Sequence, residues 1–379
     1  MPEWKERTQL PERVLITGGA GFIGSHLARH LLGLGYEVRA LDNLEAQVHR
    51  AGERPAYLED EVELICAGVC DPEAVRSALC GVDYVVHFAA RVGVGQSMYE
   101  IDEYAAVNTQ GTGVLLEAMI HRDIRKLLVA SSMSIYGEGL YRSKAGRIVE
   151  SAARSRPQLE AGEWDPVDEL GDPLAPLATP EWKQPDLSSI YALGKFDQER
   201  MCLLFGSSYA VPTVALRFFN VYGPDQALSN PYTGVLAIFA GRLLNSRPPL
   251  LYEDGHQRRD FVSVHDVVRG CALALERDQA NGLALNVGSG QSVSVIEVAQ
   301  RLAEVMGKHQ CPEVTGKYRV GDIRHCFADI SLSREALGYE PQVSLEQGMA
   351  ELAGWLEGQA ADDHVEAAAS ELAVRGLTL

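Results

Sequence analysis

The sequence predicts an α/β protein: a doubly wound parallel sheet with a smaller mixed α/β unit attached. Three observations predict it. Short, almost wholly apolar runs recur through the first 130 residues, separated by segments with apolar residues at helical spacing. A strand that is apolar on both faces belongs to a parallel sheet covered by helices on two sides. A glycine-rich turn, 17–24 (TGGAGFIG), stands between the first apolar run and the first helical segment.

The elements follow in order. Residues 13–17 (RVLIT) read as a buried strand, and SHLARHLLGLG after the glycine turn as a helix ended by Gly33 and Gly35. Residues 37–41 (EVRAL) and 62–66 (VELIC) read as the second and third strands. Residues 71–79 form a short helix with Pro72 at its start. Strands at 84–88 (YVVHF) and 126–130 (KLLVA) flank a helix over 105–119, which carries two glycines. The stretch 137–189 breaks the rhythm. It holds Pro157, Pro166, Pro173, Pro176, Pro180 and Pro185 among many acidic residues, and reads as a long surface insertion with little regular structure. Beyond it come a helix over 191–205, a strand over 212–217, a helix over 235–244, strands at 261–264 and 283–287, and a helix over 295–306. His265 and Asp266 open a further helix, with Asp266 as its N-cap. From about residue 362 an Ala/Glu-rich tail predicts a peripheral helix.

Composition narrows the function. Lys and Arg total 34 against 52 Asp and Glu, a net charge of −18, which excludes an electrostatic nucleic-acid binder. No apolar run approaches the roughly 20 residues that span a bilayer, and the polar start, MPEWKERTQLPER, does not read as a signal peptide. Seven widely spaced cysteines with no CxxC point to free thiols in a reducing cytoplasm. Cys66 and Cys70 have no nearby Cys or His to complete a metal site, so no metal is expected.

The glycine turn carries the first chemistry. Gly18 permits the tight turn, Gly21 lets a pyrophosphate approach the helix N-terminus, and Gly24 lets helix and strand pack closely. Asp42 ends the second strand some 20 residues on, where a carboxylate binds the adenosine ribose hydroxyls and repels a 2′-phosphate. The unit is thus a Rossmann-type dinucleotide site that favours NAD over NADP. The second signal is Tyr191 and Lys195, four apart on one helix face. An ammonium beside a phenol favours the phenolate. Ser132, in ASSMSIYG, sits at the carboxyl end of the fifth strand, the edge where open parallel sheets bind ligands.

With these motifs in place the chain resembles the extended short-chain dehydrogenase/reductase family, the nucleotide-sugar epimerases and dehydratases. TGGAGFIG, HFAA, ASSMSIYG, YALGK, RFFNVYGP, QRRDFVSVHDV and GDIRH occur in the family's order over about 12–360. The resemblance implies that Tyr191 is the acid–base, that Lys195 supports it and holds the nicotinamide ribose, and that Ser132 completes the catalytic set. It implies cofactor contacts from Gly18, Gly21, Phe22, Ile23, Gly24, Asp42, Asn43, Ala89 and Ala90, besides Tyr191 and Lys195. Asn108 would organise the active-site loop. Substrate contacts fall to Ser132, Asn220, Tyr252, Gln257, Arg259 and Arg324. The two arginines would form a positive pocket for a diphosphate, against a reading in which Asp260 and Asp322 pair with them on the surface. The aspartate that usually follows the third strand is replaced by Gly68, leaving the adenine to backbone or Asp71.

The resemblance divides the chain into an NAD-binding domain over 12–219 and 262–287, a nucleotide-sugar domain over 220–261 and 288–361, and a helical tail over 362–379. It implies a homodimer through 108–119 and 191–205. Ser132-Met133-Ser134 lacks the carboxylates that the family's dehydratases and decarboxylases place there, which disfavours elimination. What remains is a 4-epimerase that oxidises C4 and returns hydride to the opposite face, or a keto-sugar reductase. The strings GVGQSMYEI and KYRVGDIRHCFADIS resemble a subgroup acting on dTDP-6-deoxyhexoses such as dTDP-L-rhamnose, with UDP-hexoses and UDP-uronates open. A silent NAD-binding scaffold has no use for the Tyr–Lys–Ser set.

Overall fold

The computed structural model describes residues 11–49 and 52–378. Most of the polar start falls on residues 1–10, outside the described residues. Seven strands form one parallel sheet: β1 (Arg13–Thr17), β2 (Glu37–Asp42), β3 (Glu63–Cys66), β4 (Tyr84–His87), β5 (Lys126–Ser132), β6 (Thr213–Phe218) and β7 (Ala284–Val287). Their order is β7-β6-β5-β4-β1-β2-β3. Strand order reverses between β1 and β4, which creates a crevice at the carboxyl edge, the place where such sheets take ligands.

Side-chain alternation builds two cores. Val14 and Ile16 of β1 face helices α1 (Phe22–Gly33) and α5 (Val264–Glu276) through Leu27, Leu31, Val267 and Cys271. Leu15 faces the other way, to α2 (Pro72–Ala78), α3 (Gly111–Met119) and α4 (Ile190–Tyr209), through Val75, Leu115, Cys202 and Phe205. A third core lies apart from the sheet. Tyr222, Leu236, Phe239, Leu251 and Phe261 pack there with Val298, Leu302, Met349 and Leu352. Residues Ile323, Cys326, Ala328 and Ile330 return to the first core.

Four features depart from the expectations. Residues 105–119 are not one regular helix: Ala105–Gln110 is π-helical and α3 follows. Such wide turns gather at functional sites. Here the π-turn carries Asn108, whose side chain accepts from Arg91 N (2.8 Å) and donates to Arg91 O (3.1 Å), organising the loop after β4 as expected.

The 137–189 stretch is structured. Leu140–Arg142 pairs antiparallel with both Ile148–Val149 and Ala175–Leu177, and Arg156–Glu160 forms a short helix capped by Ser155. Its prolines sit where proline is tolerated, Pro157 in a first helical turn and Pro176 on an edge strand. Asp266 is not an N-cap. Ser263 caps α5, while Asp266, buried in the first turn, accepts from Gln342 N (2.9 Å) and Val343 N (3.2 Å) and pairs with Arg269.

The tail is less peripheral than its composition predicts. Its helix, Val365–Val374, buries Leu372 against Gly95, Arg375 lies over the Tyr99 ring, and Leu377 O accepts from Val320 N (3.0 Å).

Candidate active site

The glycine turn has the shape a pyrophosphate needs. Gly18 has φ +71°, and a Cβ there would lie 2.8 Å from Ala89 N, so the turn and the Ala89–Ala90 segment line one narrow cleft. A Cβ on Gly24 would meet Gly18 O at 2.3 Å, which is why α1 packs so close. Gly21 is the N-cap of α1 and offers no side chain, leaving the amides of Phe22 and Ile23 for a ligand. Asp42 is buried at the end of β2. Its Oδ2 accepts from Ala20 N (3.0 Å) and its Oδ1 from Leu44 N (2.9 Å), while Asn43 beside it is exposed. His49 Nε2 lies 3.8 Å from Asp42 Oδ1, and its Nδ1 is buried without a partner. A closed cradle with an orphaned polar atom beside Asp42 fits NAD.

At the same edge β5 delivers Ser132. Its Oγ accepts from Ser134 N (3.1 Å) and Ser134 Oγ (2.8 Å). Although 58 residues separate them in sequence, Tyr191 and Ser132 come to the same edge of the sheet, because α4 packs along β5 and the intervening segment folds outward. The start of α4 is fixed twice. Ser189 caps it by accepting from Ala192 N (3.1 Å), and Tyr191 N donates to Ser97 Oγ (3.0 Å). Burial raises the Tyr191 phenol, and the Ser132 hydroxyl opposes that rise. Lys195 is also buried, and its ammonium, pushed down to about 7, donates to Gln198 Oε1 (2.8 Å). The lysine thus points to Gln198 in this structure, and the counterweight on Tyr191 comes from Ser132.

The residues expected to contact substrate divide. Asn220 Oδ1 and Gln257 Oε1 are buried without partners, and Gln257 Nε2 donates to Tyr252 O (2.8 Å). Arg259 is clamped by backbone carbonyls, of Arg258 and Arg324 (3.0 Å each) and of Ile323.

Arg324 is 1% exposed, and its charge is met by carboxylates rather than left free. Asp254 holds it bidentately (2.6 and 2.9 Å), Glu253 accepts at 2.8 Å and Asp165 at 2.8 Å. The neighbouring aspartates do not pair with Arg259 or Arg324. Asp260 accepts from Ser289 N and Oγ (2.7 Å each), Gly290 N (2.8 Å) and Ala328 N (3.3 Å), and Asp322 takes Arg319 (2.8 Å).

Arg319 was not singled out in the sequence. Its guanidinium lies 4.4 Å from the Tyr252 ring centroid, half-buried, with Asp322 as its one side-chain partner among the described residues. Only the aromatic pairing with Tyr252, 67 residues away, distinguishes it, and sequence does not show that.

The sequence profile of the NAD dependent epimerase/dehydratase family matches residues 14–156 and 171–288. The chain belongs to that family. The segment the profile skips inside its own span is 157–170, a narrower insertion than 137–189.

Among curated relatives, dTDP-L-rhamnose 4-epimerase of Burkholderia thailandensis is 36% identical over 349 residues, covering 91% of this chain and 95% of that one. Among solved structures, UDP-glucose 4-epimerase of Thermotoga maritima with UDP-glucose superposes with a TM-score of 0.75 at 29% identity, over 91% of this chain and 99% of that one. UDP-glucose 4-epimerase of Thermus thermophilus in complex with NAD gives 0.71 at 32%, over 92% and 100%. The Rossmann-type fold, the extended short-chain dehydrogenase/reductase membership and the NAD cofactor expected from the sequence all hold. The chain is an NAD-dependent nucleotide-sugar epimerase by family.

Proposed function

We propose that the protein interconverts the C4 epimers of a dTDP-6-deoxyhexose such as dTDP-L-rhamnose. The observation that carries the chemistry is the Ser132–Tyr191 pair at the carboxyl edge of the sheet, in a turn with no carboxylate for elimination. The substrate reading is supported by the likeness to the Burkholderia enzyme over nine-tenths of the chain.

In this reading Tyr191 Oη takes the proton of the sugar C4 hydroxyl, and Ser132 Oγ holds that oxygen in line. When bound, NAD supplies the acceptor for the C4 hydride and returns it. Lys195 brings an ammonium to the helix face that carries Tyr191. The 4-keto sugar turns about its diphosphate linkage, and the Tyr191 phenol returns the proton on the other face. An anchor at the nucleotide end leaves the sugar free to turn. We assign that anchor to Arg259 and Arg319, with Asn220 and Gln257 beside them.

The chain division at 219–220, 261–262 and 287–288 is carried into this proposal, with its nucleotide-sugar part built on the third core. Exposed Leu193 and Leu204 on α4, with Ile101 nearby in sequence to the π-turn, support a homodimer through that face. No helix among the described residues is long and apolar enough to cross a membrane. We place the protein in the cytoplasm on its seven free thiols.

The test is to incubate the purified protein with dTDP-L-rhamnose and follow the sugar by NMR without added NADH. A C4 epimer approaching equilibrium is the expected result. Conversion that consumes NADH stoichiometrically makes the protein a reductase, and conversion of UDP-hexoses or UDP-uronates alone moves the substrate.

Arg319→Met checks the anchor. A charge-assisted contact is worth roughly 1.5–3 kcal/mol, so KM should rise about 10–100-fold with kcat within a few-fold and folding unchanged. An unchanged KM removes Arg319 from the site.

A further inference from the structure

Beneath the lysine lies a closed polar cluster that the reaction as described does not use. Gln198 is wholly buried, and its Oε1 accepts from Lys195 Nζ (2.8 Å). Its amide nitrogen donates to Ala89 O (3.1 Å) and Thr112 Oγ1 (3.2 Å). Thr112 donates its own proton to Asn108 O (2.6 Å), so it faces the cluster as an acceptor. His87 Nε2 lies 2.9 Å from Thr112 Oγ1 and 3.0 Å from the Gln198 amide nitrogen, and His87 Nδ1 lies 2.7 Å from Thr17 Oγ1, which accepts from Ala89 N (3.2 Å). Turning the Gln198 amide over would set its NH2 against the ammonium and its carbonyl against Ala89 O, so the lysine fixes the amide and the amide fixes the lysine.

We propose that Gln198 is a positioning residue that holds Lys195 and the Ala89 peptide in one frame, joining the catalytic helix to the floor of the cofactor cleft. The inference rests on the reading of Lys195 as the group that holds the nicotinamide ribose. One of its three N–H donors goes to Gln198 and two remain for that ribose. The titratable groups that face the ammonium are His87 from β4 and Cys202 from its own helix. Both are neutral at pH 7, because burial pushes His87 down to about 3 and Cys202 up to about 12. No carboxylate supports the lysine, and the Gln198 carbonyl dipole is its one hydrogen-bond partner among the described residues. The proton on Lys195 therefore depends on Gln198.

Two variants move that proton in opposite directions. Gln198→Met removes the acceptor at nearly constant volume, so the lysine loses its proton at lower pH. Gln198→Glu sets a buried carboxylate against the ammonium and holds its proton to higher pH. The measurement is the fraction of protein that retains NAD after purification, titrated from pH 6 to 9.5 and read from the cofactor released on acid denaturation, beside the pH profile of turnover. Thermal unfolding reports folding. The alkaline limb should move down by about one unit in Gln198→Met, with retention at pH 8 falling roughly tenfold, and up by a similar amount in Gln198→Glu. Limbs that stay at the wild-type position in both variants, or shift in the same direction, overturn the proposal. A wild-type protein that retains NAD but converts no nucleotide sugar sinks the epimerase reading alone, and the retention limbs still decide the role of Gln198.

Discussion

Tyr191→Phe should lower kcat about 10²–10⁴-fold, the span attributed to a positioned acid–base, while leaving NAD retention and thermal stability near wild type. The phenyl ring keeps the packing at the start of α4, whose position is set by Ser97 and Ser189 rather than by the phenol. Only the proton carrier is lost.

The pH dependence has a definite sign. Burial raises the phenol above its ordinary 10, so ionised Tyr191 is scarce at neutral pH and turnover should climb with pH on its acid side. Ser132 opposes that rise, so Ser132→Ala should shift the climb to higher pH as well as slow it. The measurement is the initial rate of C4 isomerisation against pH in the three proteins. A Tyr191→Phe variant with more than a tenth of wild-type kcat would mean that another group carries the proton, and would revive the binding-only reading.

The parts of this molecule that sequence made legible are those whose physics is local. The β1–turn–α1 unit follows from consecutive residues: an apolar run, a glycine at positive φ and a helix that must approach the turn. Tyr191 and Lys195 share a helix face because helices repeat every 3.6 residues. Burial on both sheet faces explains why even short strands announced themselves.

What stayed hidden depends on long-range pairing. The three-stranded piece within 137–189 has strands of two or three residues, too short for a period, and the prolines that suggested irregularity occupy permitted positions. The π-turn at Ala105–Gln110 has no compositional mark. The enclosure of Arg324 turns on carboxylates 70, 71 and 159 residues from it, one of them in the segment the family profile skips.

Arg324 is accordingly expected to matter for stability rather than for substrate. Arg324→Met should destabilise the protein by about 3–5 kcal/mol, the usual cost of stripping one partner from a buried ionic cluster. Glu253, 1% exposed, would be left with Arg154 (2.7 Å) as its charge partner, and Asp254 would lose a bidentate one. Adding Glu253→Gln to Arg324→Met removes the stranded charge and should recover part of the loss.

The acid side gives a second readout. His325 and then Arg324 hold the Asp165 carboxyl well below the usual range, and at Asp254 burial pushes upward but the Arg324 pairing more than reverses it. A carboxylate depressed in the folded state contributes stability that is present above its unfolded value near pH 4 and is lost as pH falls towards its folded one. Wild-type protein should therefore lose stability steeply below about pH 4, and Arg324→Met less steeply, because its Asp254 and Asp165 titrate nearer their unfolded values. Urea unfolding at a series of pH values measures both effects. An Arg324→Met protein of wild-type stability with a raised KM would return this arginine to the diphosphate, and would mean that its three carboxylates yield it when the nucleotide sugar binds.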